Sequence, residues 1–363
     1  MTSLLDAVLG ESFPQRLAVI GLSKNAGKTV ALNHVIRAAA ERGIPLGLVS
    51  TGRDGEVEDA ITELPKPRIW APAGAVLATA KGALSACEAK LEVLTELPLT
   101  TPFGRVVLCR VVAEGQVLLI GPGSRSRVAT VLAHLEAEGA QLSLVDGSFD
   151  RIAAAAPDVT GRVVLAAGAA YSVQESETLS QVRHVLESFD LPVWRGPEAV
   201  SGSSGSGVGA QGGAGTSSSA GPSGGLTAPA IRLERPDGST EPLPVVSTLA
   251  HPDAFLHLVA PGDRLHLNGP LADLLLNALI HRRLWDLDLI VQDPTHLLVS
   301  RLPWRRWRSN GGRAWVRRPV QLLAVTTNAY SPVGPAYDPV AFHAAVAHLA
   351  GRPVYDLEVG LTT

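Results

Sequence analysis

Cysteine is almost missing from this chain. Cys87 and Cys109 are the two that occur. Their spacing fits neither a metal site nor a redox pair, and a chain of this size has little need of one disulfide, so a reducing, cytoplasmic setting is expected. Long apolar runs are missing as well: no stretch of about 18 uncharged apolar residues occurs, which argues against a membrane span. The start, MTSLLDAVLGESFPQ, has no basic residue ahead of its short apolar stretch, which argues against an export signal. An excess of one charge is absent too. A formal net charge of −3 gives no overall attraction to nucleic acid or to an anionic membrane. The ten histidines show no ligand spacing, and His343 and His348 stand five apart, off a shared helix face, so no transition metal is expected. No Ser-His-Asp or Cys-His arrangement supports nucleophilic catalysis. Lysine is scarce: Lys24, Lys28, Lys66, Lys81 and Lys90 are all there are, in the first quarter of the chain, whereas arginine is spread throughout.

What is present describes a folded protein. The 363 residues, 46% hydrophobic and 18% charged, are enough for two domains with ample cores. The chain is organised around Gly21 to Thr29, GLSKNAGKT, which follows the apolar run Leu17 to Ile20. It reads as a phosphate-binding loop. A buried strand delivers the chain to a turn whose glycines let backbone N–H groups curl around phosphate oxygens, and the following helix points its positive end at the same anion. Lys28 would reach the β- and γ-phosphates, and the Thr29 hydroxyl would hold Mg²⁺. Lys24, Asn25, Ala26 and Val30 complete the set expected against the nucleotide. The spacing departs from the usual one: five residues separate Gly21 from Gly27, and Leu22 holds the expected glycine position. The alternative is a glycine-containing turn between an ordinary strand and helix. Leu32, Val35, Ile36 and Ala39 then predict a helix of about 14 residues, closing at Gly43.

A second apolar run, Leu46 to Val49, ends in STGRDGE at residues 50 to 56. Residues just past the C-terminal ends of parallel strands line the ligand crevice, so Asp54 and Glu56 are candidates for Mg²⁺ or water, and Arg53 for an anion; a solvated turn is the alternative. Residues 70 to 86 predict an Ala-rich helix and Leu91 to Leu97 a strand. Val106 to Val112 and Gln116 to Ile120 predict a hairpin turning at residues 113 to 115. Gly121 to Arg127 forms a second strand, glycine turn and helix start, suited to another anion or to an ordinary Ser-capped helix. Leu142 to Val145 ends in Asp146, where an acid on a rigid strand tip can orient the Mg²⁺ shell. Val163 to Ala166 predicts a further strand, and an amphipathic helix follows. Lys28, Asp54 and Asp146 form the expected catalytic set, and Thr29, Asp54, Glu56 and Asp146 the expected Mg²⁺ ligands. Alternating strands and helices predict a three-layer, mostly parallel α/β sheet of the P-loop NTPase kind.

Residues 201 to 225, SGSSGSGVGAQGGAGTSSSAGPSGG, hold no charge and no aromatic residue, and predict a flexible linker with an end-to-end distance of roughly 25–30 Å. The expected organisation is a nucleotide-binding domain over 14–198, a linker over 199–227 and a smaller α+β region over 228–363, a possible partner-docking domain; an expanded loop inside one larger domain is the alternative. A hairpin is expected around Pro236 to Ser239, a helix from Pro270 to about Arg283, and short strands at Leu287 to Val291 and Leu297 to Ser300. Residues 301 to 318, RLPWRRWRSNGGRAWVRR, contain seven arginines, three tryptophans and no acid. Arg and Trp anchor protein interfaces and also grip nucleic acid, but the chain as a whole is not basic, so protein docking or surface packing is the expectation. Val320 to Val325 predicts a strand leading to Asn328, Tyr330 and Asp338, where a cleft, or a turn with a helix cap, would account for the residue types.

The loop resembles that of dethiobiotin synthetase and of the branch of P-loop proteins that includes the MinD-like ATPases, although Lys24 stands one residue closer to Gly27 than the extra lysine of those ATPases. Taken with STGRDGE, LVDGSFDR at 144 to 151, LAAGAAYS at 165 to 172 and VTTNAYSP at 325 to 332, it is similar to the P-loop reactivase subunit associated with lysine 5,6-aminomutase, the adenosylcobalamin-dependent enzyme of lysine fermentation. The resemblance spans most of residues 16 to 198. It implies an ATPase that releases damaged cobalamin from the aminomutase, with that enzyme and a MutS-like ATPase as partners. Trp304, Arg305 and Trp307 are then candidates for gripping the mutase. Two other functions fit the loop: an ATP-dependent ligase or kinase of the dethiobiotin synthetase type, with Gly121 to Arg127 holding a small anionic substrate, and a non-hydrolysing nucleotide-dependent scaffold.

Overall fold

The computed structural model describes residues 3–52, 69–147, 152–196, 229–332 and 334–363. The chain forms two compact units, the first comprising Met1–Leu191, Asp293–Thr295 and Arg318–Thr363, the second Pro192–Gln292 and His296–Arg317. The second is therefore inserted into the chain of the first.

The first unit begins with α1 (Leu4–Val8), β1 (Gln15–Gly21), α2 (Lys28–Glu41), β2 (Leu46–Ser50), β3 (Ile69–Ala71), β4 (Val76–Ala80), β5 (Lys90–Thr101), β6 (Gly104–Ala113) and β7 (Gly115–Val117). It continues with α3 (Arg125–Ala137), β8 (Leu142–Asp146), β9 (Arg162–Gly168) and α4 (Glu175–Phe189). The insert contributes β10 (Ile231–Glu234), β11 (Thr240–Pro242), β12 (Arg264–Leu267), β13 (Leu271–Ala272), α5 (Asp273–His281), β14 (Asp288–Val291), β15 (Leu297–Leu298), α6 (Arg301–Ser309) and β16 (Arg313–Val316). The chain then returns to the first unit with β17 (Gln321–Asn328), α7 (Pro339–Ala350), β18 (Val354–Asp356) and β19 (Leu361–Thr362).

The main sheet has the order β19-β18-β17-β9-β1-β8-β2-β4-β6-β5. The strands from β18 to β4 run parallel, and the antiparallel strands β19, β6 and β5 sit at the two edges. Its central strands are apolar throughout because both faces are covered. Leu17 and Val19 of β1 pack with Leu4, Leu5 and Val8 of α1 and Leu32, Val35 and Ile36 of α2. Ala18 and Ile20 join the opposite core with Val128 and Leu132 of α3, Val182 and Leu186 of α4, and Phe342 and Val346 of α7. Each such Leu, Ile or Val buried in full contributes about 1.5–3 kcal/mol. The expected three-layer α/β arrangement with a mostly parallel sheet is thus present.

Two expected elements differ. Residues 70 to 86 are not an α-helix but β3, β4 and a short 3₁₀ helix from Lys81 to Ala86. Val76–Ala80 is buried along its length between β2 and β6, and that pairing overrides the helical preference of alanine. The hairpin expected at residues 113 to 115 lies instead between β5 and β6. Thr101 Oγ1 accepts from Phe103 N (3.0 Å) and donates to Gly104 O (2.8 Å), which closes that turn. β7 leaves β6 to pair with β3.

The domain boundaries also differ. Residues on both sides of the Gly/Ser-rich stretch belong to the second unit: Val193 bridges Val316 of β16, and β10 lies in the same five-stranded sheet, ordered β11-β10-β12-β14-β16. The stretch itself, within residues 197–228, lies outside the described residues. Residues beyond Arg318 rejoin the first unit rather than a C-terminal region.

In the second unit, Ile231, Leu233, Leu265, Leu267, Leu289, Val291, Ala314 and Val316 are buried, one apolar face by strand alternation. Helix α5 packs on α6, whose Trp304 and Trp307 are 1% and 0% exposed. These two indoles are core residues, so the docking role expected for them as surface groups does not hold; of that trio only Arg305 is exposed. Gly312 makes room for Trp307, since a Cβ there would lie 2.2 Å from the indole.

Candidate functional site

The site is built at the C-terminal ends of β1, β8, β2 and β9, where α2 and α3 begin. β1 ends at Gly21, and the extra residue of the loop is absorbed into it: Leu22 N donates to Ala166 O at 3.0 Å, and the Leu22 side chain is buried in the core. A leucine at the expected glycine position therefore continues the strand, and the turn starts one residue later. Asn25 (φ 60°) and Gly27 (φ 96°) then adopt left-handed conformations. Alternating handedness of this kind turns successive N–H groups inward to form an anion-binding nest. Gly27 is the cap position of α2 and supplies no capping side chain, so the helix dipole faces the loop uncapped.

Close packing fixes the loop from three sides. A Cβ on Gly21 would lie 2.7 Å from Lys28 Cγ, so the Lys28 stem crosses directly over that glycine. A Cβ on Gly168, at the end of β9, would lie 2.8 Å from Ala26 Cα. A Cβ on Gly27 would lie 3.1 Å from Asn328 Cβ, at the end of β17. Ser23 Oγ is buried without a hydrogen-bond partner, an unmet polar group inside the cradle.

Asp146 ends β8, the neighbour of β1, opposite Val19 and Ser50. Its backbone oxygen accepts from Thr51 N at 3.1 Å. Burial pushes its carboxyl up to about 6, while the Lys28 ammonium pulls it down. An acid and the loop lysine thus share one electrostatic environment. Lys28, Asp146, Gly21, Gly27, Thr29, Lys24, Asn25, Ala26 and Val30 lie together here, whereas Arg53, Asp54, Glu56 and residues 148–151 lie outside the described residues. The donor set fits a magnesium nucleotide: a nest of amides and Lys28 for phosphate, an orphaned hydroxyl at Ser23, and hard oxygen ligands at Thr29 and Asp146.

The second glycine turn lies against the end of β2. A Cβ on Gly121 would fall 1.7 Å from Ser50 O, and one on Gly52 would meet Gly123 Cα at 3.0 Å. Arg125 is already engaged, pairing with Asp158 (2.5 Å) and with the fully buried Asp293 (3.4 Å). Asn328 Oδ1 accepts from Tyr330 N at 2.9 Å, and Asp338 caps α7 through Ala341 N at 2.7 Å, so the turn and cap expected as alternatives are both made. Asn328 nonetheless borders the loop, in a small pocket lined by Gly27, Val30, Thr326, Thr327, Asn328, Leu357 and Glu358.

Two features escaped the sequence reading. Ser23 carries a residue type common in any turn, and only its burial marks it. Thr327 donates to the buried Asp356 (3.3 Å) and contacts His343 Nδ1 (3.4 Å), a grouping assembled from β17, α7 and β18 that no local spacing signals. Among the described residues, no helix is long and apolar enough to cross a membrane. No family model, curated protein or solved structure matches the chain.

Proposed function

We propose that the chain is a P-loop ATPase that binds ATP with Mg²⁺ at Gly21–Thr29 and uses it to reactivate an adenosylcobalamin-dependent aminomutase of the lysine 5,6-aminomutase type by promoting release of damaged cobalamin. The observation that carries the nucleotide part is the loop itself. Left-handed Asn25 and Gly27 precede an uncapped helix, the Lys28 stem crosses Gly21, and Asp146 stands on the adjacent strand.

In this reading the loop amides and Lys28 hold the phosphates, and Val30 and Ala26 back the cradle. Thr29 and Asp146 would hold the metal, with Asp54 and Glu56 as further candidates. Bound Mg²⁺ would neutralise charge on the β- and γ-phosphates. Asp146, raised by burial and placed near Lys28, is the acid best situated to orient the metal shell. The partner part of the proposal, the aminomutase with a MutS-like ATPase beside it, rests on the family resemblance alone.

The test is phosphate release from MgATP by the purified protein, alone and with a cobalamin-dependent aminomutase, with Lys28→Ala as control. Partner-stimulated release that the substitution reduces by about tenfold to a hundredfold supports the proposal. Release insensitive to Lys28→Ala overturns the nucleotide site. Turnover of a small anionic substrate without any protein partner would favour the ligase or kinase reading, although Arg125 is already paired. Nucleotide binding with no phosphate release in the partner's presence would favour a scaffold.

A further inference from the structure

On one side the ten-stranded sheet ends at β5, and among the described residues β6 is the strand that pairs with it. An edge strand presents a row of unpaired backbone N–H and C=O groups, a template for another strand. β5 has 12 residues, of which Leu97 and Thr101 are buried, Leu91, Leu94 and Leu99 half-buried and the rest exposed. Bulges and proline blunt an edge, and the second half of β5 has both. Leu94 is an extra residue between Val93, opposite Cys109, and Thr95, opposite Leu108, and Pro98 follows. The first half has neither. From Lys90 to Val93 the strand is regular, and the register shift beside Lys90 comes from an extra Val112 on β6, since Lys90 lies opposite Ala113 and Leu91 opposite Val111.

Alternation puts Leu91 and Val93 on one face of this stretch and Lys90 and Glu92 on the other. Leu91 packs on the core that contains Cys109 and Val111. Val93 is 50% exposed and Val112, in the adjoining bulge, 49%. Lys90 and Glu92 are exposed, and neither side chain has a hydrogen bond or ion pair among the described residues. Arg110, which lies opposite Glu92 on β6, is held by Glu138 at 3.1 Å. Two opposite charges, two residues apart, thus stand unpaired at an open edge.

We propose that this stretch pairs antiparallel with the same stretch of a second copy of the chain, about a twofold axis at Leu91, and so joins two sheets into one. An axis perpendicular to the sheet sets each residue opposite one on the same face. With the axis at Leu91, Lys90 of each copy lies opposite Glu92 of the other, and all four charges are paired. No other axis within Lys90–Val93 does this. At Lys90 or Glu92 it sets like charges against each other. At Val93 it brings Glu92 to the bulge at Leu94 and Lys90 to Glu96, which already holds Lys81 at 3.1 Å and Arg105 at 3.5 Å. Opposite charges directly across a strand pair stabilise it and like charges destabilise it, so charge selects both the partner and the register.

In this pairing the two Leu91 side chains meet on the axis, and each Val93 gains a neighbouring strand beside its exposed side. The paired stretch is about five residues, roughly 17 Å. The interface is therefore small, and the association weak and concentration-dependent. It uses no residue of the phosphate loop, so the inference stands whether or not Gly21–Thr29 binds nucleotide.

The test uses the full chain and sedimentation velocity over a concentration series rising to about 0.5 mM, which covers weak association. The wild type is expected to dimerise reversibly, less so at high salt. Lys90→Glu alone and Glu92→Lys alone are each expected to raise the dissociation constant by about tenfold, because both cross-strand pairs become like-charged. An equimolar mixture of the two variants is expected to recover the wild-type association, since one copy then supplies two acids and the other two bases. The double variant Lys90→Glu/Glu92→Lys is expected to recover it as well. Both positions are exposed and unpaired, so melting temperatures, measured alongside, are expected to stay at the wild-type value. Lys28→Ala is expected to leave dimerisation unchanged, separating this edge from the nucleotide site. A wild type that stays monomeric throughout the series, folded single variants that dimerise as well as the wild type, or a mixture no better than its components would each overturn the proposal.

Discussion

At Asp146, two forces act against each other. Burial lifts its carboxyl from 3.8 to about 6, and Lys28 offsets part of that rise. Because the folded-state value lies above the unfolded one, the group favours the folded state fully below about pH 4 and loses that contribution as pH rises through 6. Above pH 6 the ionised carboxylate is a net cost to the folded state. Asp146→Asn is therefore expected to raise the melting temperature of the ligand-free protein at pH 7.5 and to leave it nearly unchanged at pH 4, while weakening binding of MgATP. Melting curves at the two pH values check this; a lower melting temperature at pH 7.5 would mean that the Lys28 contact outweighs burial. The residue type and its place at the tip of a buried strand were legible in the sequence, as was Lys28. Their shared environment was not, because it depends on β8 lying next to β1, and strand order leaves no local trace.

Among the elements, the loop is held by backbone approach as much as by its own glycines. Gly168 belongs to β9, yet a Cβ there would press on the backbone of Ala26, with contacts of 2.8 and 3.0 Å. Gly168→Ala is expected to cost about 1–3 kcal/mol through overpacking and to weaken nucleotide binding by shifting Ala26 and Gly27. Denaturant unfolding and titration with a fluorescent ATP analogue measure both; a variant unchanged in both would show that the loop does not rest on β9. Helix α2 was legible down to its length, since Leu32, Val35, Ile36 and Ala39 carry the helical period and are all buried. Residues 70 to 86 were not, because the pairing of Val76–Ala80 between β2 and β6 overrides the local helical preference of alanine. Nor was the burial of Trp304 and Trp307, which stand three apart on one face of α6 beneath exposed arginines: composition drew attention to the charges, and the period belonged to the core.

For the whole molecule, the insertion decides what can be removed. The segments that enter and leave the second unit run side by side, with Trp194 N 2.7 Å from Val316 O. A chain that joins Leu191 to Arg318 by a short Gly/Ser bridge is expected to fold and unfold cooperatively, because β17, α7 and β18 stay attached to β9. A chain ending at Leu191 is expected to fail, since it exposes the edge of β9. Circular dichroism and melting of the two chains check this; a stable fold in the shorter one would show that β17 is dispensable.

The sequence by itself determined the alternation of strands and helices, the glycine turn between β1 and α2 and the acid at the end of β8, because periodicity and turn chemistry are local. Only the tertiary structure decided that the Gly/Ser stretch interrupts the second unit rather than dividing two domains, that residues after 318 complete the first sheet, and that Trp304 and Trp307 are core residues. A Gly/Ser-rich stretch has the same composition whether it joins two domains or lies within one, while strand partners far apart in the chain are chosen by packing and register. Those choices become visible only when the sheet is assembled.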